Sequence, residues 1–95
     1  MHHLYILYSE NTNKYYACET SDLAQHIAQH NSGFYKGSYT KQAQDWILYY
    51  EIICSDIIVA RKIESHIKRM KSRKYIEDIK NYQEISRKLL LQYSK

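Results

Sequence analysis

The chain has 95 residues, a net charge of +4 and a pI near 9.0, with 44% apolar and 25% charged residues. That composition suits one domain with one modest core, and two cysteines are too few for a disulfide framework, so a reduced, cytoplasmic protein is expected. No apolar run approaches the ~18–20 residues of a membrane span, and no basic stretch leads into an apolar run as in a signal peptide.

Residues 3–8 (His-Leu-Tyr-Ile-Leu-Tyr) and 14–18 are rich in strand-forming residues, and the polar stretch 9–13 between them is turn-like, so a hairpin is expected that sets Tyr5 and Tyr16 on neighbouring strands. Thr20-Ser21-Asp22 supplies side-chain oxygens that can cap a helix. Leu23, His26, Ile27 and His30 follow at helical spacing, and Asn31 and Gly33 tolerate the conformation that ends it. Residues 32–45 hold both glycines and form a long connection, a feature often tied to function. Trp46 to Cys54 is the most apolar run and is expected to be a third, central strand.

Ser55-Asp56 can start a long helix through about Met70, with Ala60, Ile63, Ile67 and Met70 as its core stripe. Ser72 opens a further helix with Tyr75, Ile76 and Ile79, and a last helix near 83–93 carries Ile85, Leu89, Leu90 and Tyr93. The order β-β-α-β-α-α-α predicts a single α+β domain over 1–95, a three-stranded antiparallel sheet flanked by helices.

Charge and tyrosine are the unusual features. Residues 1–60 hold three Lys/Arg against six Asp/Glu, a net −3, whereas residues 61–95 hold eleven against four, a net +7. Such asymmetry suggests a polyanionic partner, with a solvated basic helix face as the plainer alternative. The 11 tyrosines suit half-buried surfaces and binding faces.

The ordered set His3-Leu4-Tyr5, Tyr16-Ala17-Cys18, Thr20-Ser21-Asp22-Leu23, His30-Asn31-Ser32-Gly33, Tyr39-Thr40-Lys41, Trp46, Ala60-Arg61-Lys62-Ile63-Glu64 and Lys71-Ser72-Arg73-Lys74 resembles the GIY-YIG nuclease domain in its short, UvrC-type endonuclease-like form, over roughly residues 3–80. The resemblance implies metal-assisted cleavage of a phosphodiester in nucleic acid, DNA foremost. It makes Glu64 the ligand of one divalent cation, Mg²⁺ or Mn²⁺. It makes Tyr5 and Tyr16 the residues that order or deprotonate the attacking water, with His30 a further family position in the catalytic set. A metal polarises the phosphoryl oxygen and helps to generate the nucleophile.

Two positions depart from the family pattern. Cys18 stands where the second motif has glycine, with Glu19 beside it, and His26 stands where the first helix carries the phosphate-binding arginine. Arginine offers a permanent charge and a planar fork that histidine lacks, and losing one preorganised electrostatic donor costs ~10²–10³ in rate. The alternative is therefore a nucleic-acid-binding or protein-interaction module that keeps the fold and has lost the chemistry. Without the resemblance, Glu64 reads as a surface residue paired with Lys68 at i+4. His26 and His30, also at i and i+4, have a metal-ligand spacing that Glu64 could complete. For nucleic acid, Lys36, Tyr39 and Lys41 of the loop and Arg61, Lys68, Lys71, Arg73 and Lys74 of the basic run are the candidate contacts, lysines on phosphates and tyrosines against bases or sugars.

Overall fold

The computed structural model describes residues 1–32 and 43–94. Strands β1 (His2–Ser9) and β2 (Lys14–Thr20) precede helix α1 (Leu23–Asn31), strand β3 (Ile47–Cys54) and helices α2 (Ile57–Met70), α3 (Arg73–Asn81) and α4 (Gln83–Tyr93). The strands form one antiparallel sheet in the order β2-β1-β3. This is the expected α+β architecture.

The third strand is not central. β1 pairs with both neighbours, while β3 lies at an edge. The reason lies in burial on two faces. Leu4, Tyr5, Ile6 and Leu7 are all buried, so β1 has apolar cover above and below, whereas Ile47, Leu48 and Ile53 of β3 remain exposed. Leu4 and Ile6 face the core built with α2, α3 and α4, together with Ile52, Ala60, Ile63, Ile67, Ile79 and Leu89. Tyr5 and Leu7 face the other way, into a smaller cluster with Ala43 and Trp46, against which Tyr16, Cys18, Leu23 and Ile27 pack.

Side-chain caps start the first three helices where the sequence suggested. Asp22 accepts from the Gln25 amide at 3.1 Å, Asp56 from Val59 at 2.9 Å and Ser72 from Tyr75 at 3.1 Å. The α2 stripe is shorter than expected. Ala60, Ile63 and Ile67 are buried but Met70 is 46% exposed, because the helix ends there in a left-handed Lys71 (φ 47°) and the chain turns into α3. The hairpin turns through Asn13, also left-handed (φ 55°), a conformation that asparagine tolerates better than most residues. Arg73 fastens this turn to α3, donating to the Asn13 carbonyl at 2.6 Å and to its side-chain oxygen at 3.0 Å.

Candidate active site

Register sets the first half of the site. Tyr5 pairs with Cys18 and Leu7 with Tyr16, so Tyr5, Cys18 and Tyr16 share the sheet face that packs on α1. On that helix His26 and His30 are one turn apart, with ring centroids 6.4 Å from each other. The backbone at Trp46 is bound to the end of α1 by two hydrogen bonds: its N–H donates to Asn31 Oδ1 at 2.6 Å, and Asn31 Nδ2 donates to its carbonyl at 2.9 Å. This clamp seats the Trp46 ring 6.5 Å from that of Tyr16.

His30 is the hub of these residues. Its Nε2 lies 2.9 Å from the Tyr5 hydroxyl, and its ring meets Tyr16 edge-on at 5.6 Å. It is only 4% exposed, and burial, helped by nearby His26, pushes its pKa down to about 4. The imidazole is therefore neutral at neutral pH and serves as a hydrogen-bonding group rather than a cation. Tyr5 is fully buried, with its hydroxyl on His30. Tyr16 and His26 are half-buried and border the solvent side.

The second half comes from α2, which crosses the far side of β2. Glu64 is half-buried, and Lys68 donates to its Oε2 at 2.8 Å. The same ammonium lies 5.3 Å from the centroid of the Tyr16 ring, a cation–π distance. One lysine thus links the carboxylate of α2 to the tyrosine of β2. Tyr16 meets His30, which in turn meets Tyr5 and His26, and meets Glu64 only by way of Lys68.

Several expectations meet a different environment. Glu19, beside the motif position of Cys18, points to the opposite face from Tyr16 and is held between His2 and Arg61, with Arg61 Nε at 3.6 Å. Arg61 is thus set on a carboxylate. Cys18 packs into the apolar cluster under α1. Lys74 pairs with Asp78 at 3.5 Å on the outer face of α3. Lys68, Lys71 and Arg73 line a groove beside Tyr16, where Lys14 joins them, a cation that the sequence reading passed over. Its position two residues before Tyr16 was the available signal. Lys36, Tyr39 and Lys41 lie outside the described residues.

Among the described residues, the carboxylate that stands closest to Tyr16 by way of Lys68 is that of Glu64. Among the described residues no three His, Cys, Asp or Glu side chains cluster as ligands, so the rewritten His26–His30–Glu64 centre is not assembled. A single carboxylate still fits a hard cation such as Mg²⁺, which keeps several waters and takes one or two carboxylates together with substrate phosphate.

An antiparallel β-hairpin extended by a third strand, with a tyrosine on each hairpin strand, a histidine-bearing helix on one face and a glutamate-bearing helix on the other, makes an α+β domain. The sequence profile of the GIY-YIG catalytic domain matches residues 1–76, and the chain belongs to that family. No curated protein and no solved structure matches it. No helix among the described residues is long and apolar enough to cross a membrane.

Proposed function

We propose that the chain is a metal-dependent nuclease that hydrolyses phosphodiesters in DNA, with Glu64 holding one Mg²⁺ or Mn²⁺. The observation that supports this reading is that His30 of α1 packs on Tyr16, and that Lys68 joins Tyr16 to Glu64 of α2. When bound, the cation supplies Lewis-acid polarisation of the phosphoryl oxygen and a more acidic water. Tyr16, at the solvent border, orders the attacking water. Neutral His30, oriented by the buried Tyr5 hydroxyl at 2.9 Å, holds the tyrosine face in place. His26 takes the arginine's place as hydrogen-bond donor to the scissile phosphate.

The test is nicking of supercoiled plasmid with Mg²⁺ or Mn²⁺. Glu64→Ala is expected to abolish it. Activity that is equal in the variant would remove Glu64 from the reaction.

A binding module is the second reading, favoured by the ion pair that already neutralises Glu64. His26→Arg separates the two. In a competent site it restores a fixed charge at the phosphate and raises nicking by ~10²–10³. No gain, together with no nicking by the parent chain, leaves a nucleic-acid-binding or protein-interaction module that keeps the fold without the chemistry.

A further inference from the structure

A groove of about 480 Å³ opens next to Tyr16, between β2 and the corner where α2 turns into α3. It lies within the ~300–1,000 Å³ range of small-molecule sites. Its floor and its rim differ in chemistry. The floor is Tyr15, Ala17, Ile67 and Ile76, and the rim is Lys14, Lys68, Lys71 and Arg73. Among the described residues no carboxylate lines it. The nearest acids are already engaged, Glu64 by Lys68 and Glu77 by the Tyr15 hydroxyl at 3.3 Å.

A sugar–phosphate backbone alone would want donors along its whole track, and the floor offers almost none. A flat apolar ring with phosphate on either side matches both surfaces. The Arg73 guanidinium, 5.0 Å from the Tyr15 centroid, adds a planar cation of the kind on which bases stack. A base within a duplex has both faces covered by its neighbours, so only an unpaired base can present one to this floor. We propose that the groove is a nucleotide subsite that takes one unpaired base of a single-stranded segment, with the flanking phosphates on Lys14, Lys68 and Lys71 and the chain leading on to Tyr16. The polymer's identity rests on the reading above; the base pocket is a property of the groove.

The test is fluorescence anisotropy with the full chain in EDTA, where binding is read without cleavage. The probes are a short oligothymidine, an abasic strand of equal length and a hairpin duplex. Oligothymidine is expected to bind about tenfold tighter than the abasic strand, the factor of one well-stacked base, and tighter than the hairpin. Lys71→Glu, at an exposed position, is expected to weaken both single strands by the same factor. Amide NMR shifts on adding oligothymidine are expected at residues 14–17 and 67–76. Equal binding of all three probes, preference for the hairpin, no binding, or shifts confined to other residues would each overturn the proposal. The outcome is independent of nicking. A chain that never nicks yet prefers oligothymidine keeps the subsite and loses the nuclease reading. One that nicks but binds all probes alike does the reverse.

Discussion

At the scale of single residues, the Lys68 ammonium occupies space that a divalent cation on Glu64 would have to share. A divalent cation and an ammonium ~4 Å apart repel by about 2 kcal/mol in water, twice the value for two unit charges, so an incoming metal would displace the lysine toward Tyr16 or solvent. Lys68→Ala is therefore expected to tighten Mn²⁺ binding by up to roughly thirtyfold by calorimetry, the factor to which about 2 kcal/mol corresponds. Lys68 is half exposed, so the gain should shrink as salt is added. Unchanged affinity would mean that lysine and metal occupy different sides of the carboxylate. The i,i+4 pairing itself was legible in the sequence. Its position over Tyr16 was not, because it depends on how α2 crosses β2. The burial of Tyr5 and His30 was equally hidden, since an aromatic on a short strand and a histidine on a helix carry no mark of depth.

At the scale of elements, the α2–α3 junction is built against backbone preference. Lys71 holds φ 47° at the helix end, where glycine is the usual residue. A side chain in this conformation costs of order 1 kcal/mol, and it places a cation on the groove rim. Lys71→Gly is expected to raise stability by about 0.5–1 kcal/mol in urea unfolding while weakening single-strand binding. A loss of stability would show that the lysine side chain makes up for its strained backbone.

Helix limits were largely readable, because Asp22, Asp56 and Ser72 announce their caps. Strand order was not. The run Ile47–Cys54 is the most apolar in the chain, yet the centre of the sheet went to β1, whose four successive buried residues satisfy two opposite faces at once. Apolar content predicts that a segment is a strand. Which strand lies in the middle is decided by what covers each face, and that cover comes from helices and a tryptophan distant in sequence.

At the scale of the whole molecule, two histidines make stability depend on pH in one direction. Burial lowers the pKa of His30 to about 4, and that of His66 is lowered by burial and by nearby Arg69. His66 sits between helices, with Nδ1 2.9 Å from the Tyr93 hydroxyl and Nε2 3.1 Å from that of Tyr75, joining α2, α3 and α4. As pH falls below the ordinary histidine value of 6.5, the unfolded chain takes up protons that the folded chain refuses. Stability contributed by the neutral imidazoles is present above about pH 6.5 and is lost progressively as pH falls toward about 4. Asp45 adds to the loss at the acid end, because hydrogen bonds from Ser9 and Asn11 hold its carboxyl below the usual value. The melting temperature is thus expected to be level above neutrality and to fall on acidification, with His66→Phe flattening part of the slope. A melting temperature independent of pH through this window would mean that the imidazoles titrate alike in both states.

Arg73 has a consequence of another kind. It grips the hairpin turn through Asn13 and flanks the Tyr15 ring, and it stands on the rim of the groove. The hairpin turn and the groove rim thus share one side chain, although the turn is also tied by the Tyr8 hydroxyl on Asn13 and by the Asp45 carboxylate on the Asn11 amide. An occupant that draws the guanidinium toward itself would release one of the ties on the turn, the pair of bonds to Asn13. Occupancy of this groove would then be felt at Asn13, on the far side of the guanidinium, as well as at the ring of Tyr15.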